Sequence, residues 1–196
     1  MDINNRIATR VRELRDAQGF SLDTLAERSG VSRSTISLIE RGQSSPTATV
    51  LDKLATALCV TLASLFEDSA SSAAAPSPLA RAAEQPVWTD PTSGYIRRNL
   101  SPAARSPLQL VEVHFPAGQQ VAYDTSARDV EVHQQVWVIE GVMELTVGDV
   151  QWRLETGDCL SMRLDCPMVF RNPTREPARY LVALTSMNFT PARRNG

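Results

Sequence analysis

The N-terminal third of the chain carries apolar residues at helical spacing. Over residues 4–17, Ile7, Val11 and Leu14 recur every three or four positions, as in an amphipathic helix. Segments of the same period follow, each bounded by a Ser or Thr that can cap a helix or by a glycine that can end one. The pattern predicts an all-α unit of five short helices over residues 1–67.

The pattern changes after Pro86, where apolar and polar residues alternate. Glycines that can form turns recur along this part at Gly118, Gly141, Gly148 and Gly157. The strand candidates are LQLVEVHF, QQVWVIEG, MELTVGD, CLSMRL, MVFRNP and ARYLVAL. Many short strands at such spacing are typical of an all-β sandwich or barrel. We expect this second domain over residues 87–190.

The two patterned parts are separated by a stretch of different composition. Of the 19 residues in 68–86, 14 are Ala, Ser or Pro. Such a composition buries little apolar surface and predicts a flexible linker. The last residues, 191–196, are predicted to be a disordered tail. The chain is therefore expected to contain two domains.

Composition limits the partners that charge alone would attract. The net charge is −2, and residues 1–68 carry 8 basic and 9 acidic side chains. A nucleic-acid surface must therefore come from the placement of charges. Three cysteines are too few for a disulfide scaffold. No apolar run reaches the roughly 18 residues of a membrane span, so we expect a cytoplasmic protein with no membrane partner.

The third predicted helix, over residues 33–41, has two distinct faces. Its apolar face carries Ile36 and Ile39. The opposite face carries Arg33, Ser34, Ser37 and Arg41. A short helix with an apolar back and a front of arginine and small polar residues fits the major groove of DNA. The alternative is an amphipathic helix with a solvated outer face.

Each polar residue of this region has an expected role. Arg33 can form a bidentate pair with a guanine, and Ser34 and Ser37 can reach a base or a phosphate. The residues better placed for the DNA backbone are Thr35, Arg41 and Gln43. Ser32, the predicted cap of the helix, completes the polar set. We expect double-stranded DNA as the partner.

Residues 4–67 resemble the xenobiotic-response-element (lambda-repressor-like) helix-turn-helix domains. The matching pattern is RVRELR, then G-S-L-LA, GVS-S-IS-IERG and SP. The resemblance implies a DNA-binding regulator and a charge pair between Arg15 and Glu40; the alternative is two unrelated surface charges. One departure is Leu22, where many relatives have a base-reading Gln. Leu22 can only touch a thymine methyl or pack.

Residues of about 90–190 resemble a cupin, an all-β jelly-roll barrel. The matching segments are VEVHFPAGQQV, QQVWVIEGVMELTVGD and LETGDCLSMRLDCPMVFRNP. A helix-turn-helix domain followed by a cupin is an architecture of bacterial regulators that sense small molecules. The resemblance therefore implies an effector-binding role for this domain.

The resemblance also locates four positions that hold metal ligands in many cupins. Here they are Gln134, Met168 and two residues in or near Ala127–Asp129, so no conventional ligand set remains. His133 and His114 are expected to lie outside any ligand set. We predict no metal and no cofactor. An open alternative is a soft-metal or redox site formed by Cys159, Met162, Cys166 and Met168.

Without a metal, the barrel is expected to hold an organic effector, such as an amino acid or an organic acid. The candidate effector-binding residues are Arg97, Tyr123, Gln134, Trp137, Met168, Phe170 and Arg171. For each of them, ordinary core packing or a solvated surface position is the alternative. The arginines are candidates because a guanidinium binds a carboxylate through two hydrogen bonds.

One helix-turn-helix domain covers one half-site, so a homodimer formed through the barrel is expected. The overall hypothesis is a transcriptional regulator without enzymatic activity. Two alternatives are a metal-independent cupin enzyme with a DNA-targeting module and a structural cupin that only dimerises.

Overall fold

The computed structural model describes residues 2–67, 76–104, 106–124 and 131–187. The predicted tail at 191–196 and the first part of the predicted linker lie outside these residues. In the remainder of the linker, residues 82–84 form a 3-10 helix, and the backbone N–H of Ala104 donates to the carbonyl of Ser77. The sheets begin immediately after this segment.

The helical half contains four α-helices and one 3-10 helix within the described residues. The helices are α1 (Ile3–Ala17), α2 (Leu22–Ser29), α3 (Arg33–Glu40) and α4 (Ala48–Ala57), followed by the 3-10 helix Leu62–Phe66. The predicted count of five is therefore not confirmed for α-helices. The fifth segment, five residues long, adopts the tighter 3-10 form that is common in such short pieces.

Three of the helices begin at side-chain caps. The hydroxyl oxygens of Ser21, Ser32 and Thr47 each accept a hydrogen bond from a backbone N–H three residues further on. Each cap satisfies a donor that has no partner inside the helix. Because the caps fix where each helix begins, they also fix which residues face the core. Ile7 and Ile36 are both fully buried in that core.

The second half contains ten described strands in two antiparallel sheets. They are β1 (Val87–Thr89), β2 (Ile96–Asn99), β3 (Leu108–Phe115), β4 (Gln120–Tyr123), β5 (Glu131–Glu140), β6 (Met143–Val147), β7 (Val150–Leu154), β8 (Cys159–Arg163), β9 (Met168–Arg171) and β10 (Ala178–Met187). One sheet has the order β1-β2-β3-β10-β5-β8 and the other β4-β9-β6-β7. The all-β architecture is consistent with the predicted cupin.

Strand β5 shows how alternation sorts side chains between the two faces of the larger sheet. Val132, Gln134 and Val136 are buried toward the interior. His133 and Trp137 point the other way, and Trp137 is 47% exposed. Successive side chains on a strand alternate between faces, so Gln134 faces the interior and its neighbour His133 does not.

The turn after β5 requires glycine. Gly141 has φ +84°, a left-handed conformation. A Cβ on this residue would lie 3.0 Å from the Cα of Ala178 and 3.0 Å from the carbonyl oxygen of Pro177. The turn and the start of β10 therefore approach each other more closely than a side chain would allow.

The two halves of the chain are in direct contact. The ring centres of Phe66 and Trp88 are 5.7 Å apart. The first turn of α4 is held by Asp90, whose Oδ1 accepts from the backbone N–H of Ala48 at 2.8 Å. Buried apolar side chains form one cluster that continues from the helices into the sheets. The linker composition did not predict this contact.

Candidate functional site

A buried ion pair fixes α3 to α1. Arg15 donates from Nε to Glu40 Oε1 at 2.6 Å and from Nη2 to Oε2 at 3.0 Å. Arg15 also donates to the carbonyl of Phe20 at 2.9 Å, and Arg12 lies 3.6 Å from the Glu40 carboxylate. The hydrogen bond to Glu40 raises the pKa of Arg15. A bidentate pair with two fixed ends sets the orientation of α3.

The turn between α2 and α3 is held by Ser29 and Gly30. The Ser29 hydroxyl donates to the carbonyl of Leu25 at 2.6 Å and accepts from the backbone N–H of Val31 at 3.2 Å. Gly30 follows with φ +66°, which ends α2 in the left-handed conformation. These contacts fix the angle between the two helices and therefore the face that α3 presents.

The outward face of α3 carries the residues that the sequence assigns to DNA. Arg33, Ser34, Arg41 and Gln43 are exposed, whereas Ser37 is partly buried. Behind them, Ile36 and Ile39 are buried to 0% and 1% exposure. Leu22 is partly buried and packs against the core. Leu22 was expected either to touch a thymine methyl or to pack, and this contact corresponds to the packing role.

Arg33 and Arg41 are held differently before any ligand binds. Arg33 Nε lies 3.2 Å from Asp23 Oδ1, and both side chains are mostly exposed, at 64% and 76%. An exposed pair of this kind contributes little and separates readily. Arg41 donates from Nε to the carbonyl of Ser37 at 3.1 Å, which orients it along the helix.

Three hydroxyl groups cluster at the N-terminus of α3. Ser32 Oγ lies 2.9 Å from Ser34 Oγ and 2.7 Å from Thr35 Oγ1, and it accepts from the backbone N–H of Thr35. The N-terminal end of a helix is electropositive and favours anions. This arrangement places hydroxyl donors beside that end, where a phosphate group can accept from them.

A second candidate site is a small cavity between the two sheets. Its volume is about 50 Å³. Its lining consists of Asp52, Leu62, Tyr95, Arg97, Val113, Tyr123, Gln134, Leu164, Met168, Phe170, Tyr180, Val182 and Leu184. Five of the seven predicted effector residues are in this set. Asp52 and Leu62 belong to the helical half, so the cavity is completed by the other domain.

The polar groups of the cavity are three phenols, an amide, a guanidinium and a carboxylate. Burial raises the pKa of Tyr95, Tyr123 and Tyr180, so all three are neutral phenols at physiological pH. The hydroxyl oxygens of Tyr95 and Tyr123 are 3.1 Å apart and share a hydrogen bond. Neutral phenols and a guanidinium provide hydrogen-bond donors for an acidic ligand.

Two predicted effector residues lie elsewhere, and their assignment to the cavity is corrected. Trp137 points to the outer face of β5 because it follows the inward-facing Val136 by one position. Arg171 is exposed at the end of β9 and pairs with Glu144 at 3.3 Å. Both residues alternate with inward neighbours, so a stricter count of strand positions would have placed them outside.

The cavity contains residues that the sequence analysis did not select. Tyr180 shares the inward face of β10 with Val182 and Leu184, so the same alternation could have identified it. Tyr95 lies just before β2, a strand that the pattern did not predict. Asp52 carries no such signal, because its position depends on how the two halves pack together.

The residues of the cavity do not suit a divalent metal ion. Of the four expected ligand positions, Gln134 and Met168 line the cavity, and Ala127–Asp129 lies outside the described residues. The guanidinium of Arg97 would repel a cation, and the phenols are neutral. Within the described part of the chain, no three His, Cys, Asp or Glu side chains are grouped as a metal site.

In the described structure, the four sulfur-bearing candidates for a soft-metal site do not meet at one point. They are Cys159, Met162, Cys166 and Met168. Cys159 is exposed, opposite Trp137 in the sheet. Met162 is buried and faces inward opposite Gln134. The two lie on opposite faces of one strand, so the soft-metal set of four that the sequence left as an open alternative is not assembled. His133 and His114 also lie on the outer face, beside Glu131 and Glu112.

A helix-turn-helix domain packed on a double-sheet barrel defines a class of bacterial transcription regulators. The helix-turn-helix family model matches residues 11–65, and the cupin domain model matches residues 111–184. None of the helices in the described ranges has the length and apolar content of a membrane span.

Comparison with known proteins identifies the family. The chain is 30% identical over 169 residues to the HTH-type transcriptional regulator SutR of Escherichia coli (strain K12), covering 85% of this chain and 86% of SutR. It is 36% identical over 63 residues to the HTH-type transcriptional regulator SinR of Bacillus subtilis (strain 168), covering 32% of this chain and 57% of SinR.

A solved structure extends the likeness over both domains. The crystal structure of an HTH_3 family transcriptional regulator from Vibrio cholerae has a TM-score of 0.75 and 26% identity, covering 95% of this chain and 98% of that one. The chain belongs to the xenobiotic-response-element-type helix-turn-helix regulators that carry a cupin domain. The family predicted from the sequence is thus confirmed.

Proposed function

We propose that this protein is a cytoplasmic, sequence-specific DNA-binding regulator whose barrel senses a small organic acid. The observation that carries the proposal is the division of α3 into two faces. Ile36 and Ile39 are buried against the domain, whereas Arg33 and Arg41 are exposed to solvent on the opposite face. A helix held in this way can enter a major groove with its polar face toward the bases.

The proposed DNA contacts follow from position along α3. Arg33, in the first turn, reads a guanine edge, and Ser37 lies one turn further along the same face. The hydroxyl cluster of Ser32, Ser34 and Thr35 binds phosphate, as do Arg41 and Gln43 beyond the last turn. Specificity therefore depends on few residues, since Leu22 offers no hydrogen bond.

The proposed effector pocket is the cavity lined by Arg97 and Gln134. Both side chains are buried, with 7% exposure each. A buried guanidinium fixes an acidic group, and a buried amide both donates and accepts. The apolar walls formed by Met168 and Phe170 would hold the rest of a small metabolite.

We further propose a homodimer, because two half-sites about 34 Å apart, or a multiple of that distance, require two recognition helices. The outer face of the larger sheet is the proposed contact. It exposes Leu110 and Trp137, which flank β10 on its two neighbouring strands. Analytical ultracentrifugation of the wild-type chain and of Trp137→Glu tests this part. A dimer that the substitution leaves intact places the contact elsewhere.

Selection of bound genomic DNA fragments by the purified full chain is the test of the main proposal. We expect a shared motif with two-fold symmetry among the selected fragments. Failure to enrich any sequence over random DNA would refute specific binding. The genes beside the motif then provide candidate effectors for a thermal-shift panel, repeated with Gln134→Ala.

The same panel separates the proposed regulator from its two alternatives. A purely structural barrel gives no thermal shift with any metabolite. An enzyme converts a candidate metabolite, and that conversion is measured directly by chromatography of the incubated compound. A sensor shifts its melting temperature and leaves the compound unchanged.

A further inference from the structure

The effector cavity is closed by the DNA-binding half of the same chain. Asp52 on α4 and Leu62 in the 3-10 helix are part of its lining. Asp52 is only 3% exposed, so it is buried where the two halves meet. The remaining volume of about 50 Å³ is far smaller than the roughly 300–1,000 Å³ of typical ligand sites. A metabolite larger than a few atoms can therefore enter only if the lining moves.

Arg97 is the cation of this cavity. Its Nε is buried and has no hydrogen-bond partner among the described residues. On one side, its guanidinium carbon lies 5.5 Å from the ring centre of Phe66, a residue of the DNA-binding half. A buried guanidinium without a full set of acceptors strongly favours a nearby anion.

The charges of Arg97 and Asp52 act on the same group. The positive charge of Arg97 lowers the pKa of Tyr95, whereas the negative charge of Asp52 raises it. Both side chains therefore lie close enough to one phenol to influence it electrostatically. Because Asp52 and Arg97 both line this cavity of about 50 Å³, Asp52 places a carboxylate in the small space that an acidic ligand would occupy.

We propose that Asp52 substitutes for the carboxylate of the effector, and that an acidic effector binding at Arg97 displaces Asp52 and α4 from the mouth of the barrel. This inference rests on the proposed function and assigns both a ligand class, a small carboxylic acid, and a route of regulation. The DNA-binding domain is itself the lid of the sensor.

The attachment of α4 explains how displacement reaches the DNA. The N-terminus of α4 is fixed to the barrel through Ala48 and Asp90, and Thr49 donates to the carbonyl of Ala122 at 3.0 Å. On its other side, α4 packs against α2, the first helix of the helix-turn-helix. Movement of α4 away from the barrel therefore changes the position of α2 and α3 relative to the dimer contact.

Chemical rescue of Asp52→Ala in the full chain tests the shared carboxylate position. The probe is sodium acetate, with sodium chloride at equal ionic strength as the control. We expect acetate to raise the melting temperature of Asp52→Ala by about 2–4 °C in a saturable manner. The wild-type chain and Asp16→Ala, which removes a mostly exposed carboxylate, should show a much smaller rise.

The double variant Asp52→Ala with Arg97→Met locates the bound acetate. Loss of the acetate response in this variant supports binding at Arg97, and a full response overturns the proposal. Asp52→Asn keeps the volume of the side chain if Asp52→Ala fails to fold. In that variant we expect acetate to act at a lower concentration than in the wild-type chain, and an unchanged concentration also overturns the proposal.

Displacement of α4 is measured with a bulkier probe, sodium pivalate. Trp88 lies 5.7 Å from both Phe66 and Tyr95, so its fluorescence reports whether the two halves are together. With Trp137 and Trp152 changed to Phe, pivalate should shift the Trp88 emission to longer wavelength. The shift should be absent in Arg97→Met. An equal shift in both chains overturns the lid mechanism.

Selection of bound DNA fragments distinguishes a failure of this inference from a failure of the proposed function. If the chain selects a DNA motif but neither acid acts through Arg97, the inference fails and the regulator remains. If no motif is selected, the proposed function fails regardless of acid binding.

Discussion

At the scale of single residues, the Arg15–Glu40 pair shows how a charge can be structural rather than functional. Glu40 is the last residue of α3 and its side chain is only 5% exposed, and the side chain of Arg15 is 14% exposed. Removing one partner from such a pair leaves a buried charge uncompensated. The pair therefore maintains the orientation of α3, the helix proposed to meet DNA.

We expect Arg15→Ala to lower the free energy of unfolding by about 3–5 kcal/mol, because Glu40 then stays buried without its bidentate partner. Urea denaturation of the full chain measures the loss. The matched control is Arg12→Ala, whose side chain is 53% exposed and which should cost at most about 1 kcal/mol. Equal losses for the two variants would show that the bidentate geometry is not what matters.

Arg33 and Arg41 should separate base reading from phosphate binding. Arg33→Ala removes a proposed bidentate base contact, so specific binding should weaken by about 1–3 kcal/mol with relaxed preference at one base pair. Arg41→Ala should weaken binding to all sequences alike and reduce its salt dependence. Fluorescence anisotropy on specific and random duplexes measures both. If each variant lost the same affinity on both duplexes, the assigned roles would be wrong.

At the scale of elements, the strands show which parts of the fold a residue pattern can predict. All six predicted strands coincide with β3, β5, β6, β8, β9 and β10. β7 was missed because four of its five residues are exposed, so its alternation carries no burial signal. β2 was missed for the opposite reason, since its buried positions hold Arg97 and Asn99. A polar residue facing inward reverses the pattern on which the prediction depends.

The turn at Gly141 should be intolerant of any side chain. Gly141→Ala must adopt a positive φ and push its Cβ against backbone atoms 3.0 Å away, so we expect a loss of about 2–5 kcal/mol. Gly157→Ala is the control, because it has φ +96° but nothing within 4 Å of the added Cβ. It should cost only about 1–2 kcal/mol. Thermal unfolding compares them, and the reverse order would contradict the close approach.

Glu67 gives the contact between the halves a pH dependence. Its carboxylate accepts from Gln109 Nε2 at 2.6 Å, and burial raises its pKa above the ordinary value of 4.5 despite Arg10 nearby. The folded chain therefore holds this proton more tightly than the unfolded chain. The stability that protonated Glu67 contributes is fully present below pH 4.5. It is lost as the pH rises through the raised pKa of Glu67 in the folded chain.

The isosteric variant Glu67→Gln isolates this effect, because it keeps an acceptor for Gln109 but cannot ionise. We expect its melting temperature to exceed that of the wild-type chain at pH 7. The difference should shrink toward pH 4.5, where Glu67 of the wild-type chain is increasingly protonated. A difference that stays constant across this range would mean that Glu67 is not the titrating group.

At the scale of the whole molecule, the residue patterns identified the family and five of the thirteen residues that line the cavity, but not its closure. The resemblance located Gln134 and Met168, and Arg97 was a candidate because a guanidinium binds a carboxylate. The sequence could not predict Asp52 as a cavity residue, because its position depends on how the two halves pack together. That packing rests on contacts between distant residues: Ala48 and Asp90 are 42 positions apart, and Thr49 and Ala122 are 73 positions apart. Contacts this distant leave no local pattern.

The purified full chain should carry no stoichiometric transition metal. The described cavity offers a single carboxylate, that of Asp52, and otherwise an amide, a thioether, neutral phenols and a guanidinium, whereas a divalent ion would need at least three imidazole or carboxylate ligands. Elemental analysis after dialysis measures the content directly. About one zinc, iron or manganese per chain would contradict this expectation and would direct attention to residues 125–130.

The single apolar cluster that joins helices and sheets has a consequence for how such regulators diversify. Phe66 and Trp88 are buried, and their rings contact each other where the two halves meet. A chimera that joined residues 1–67 to an unrelated barrel would expose this apolar surface and lose the hydrogen bond from Ala48 to Asp90. The two halves are therefore not interchangeable between regulators. Recombination at the linker should yield working proteins only when each domain keeps the apolar surface that contacts the other half.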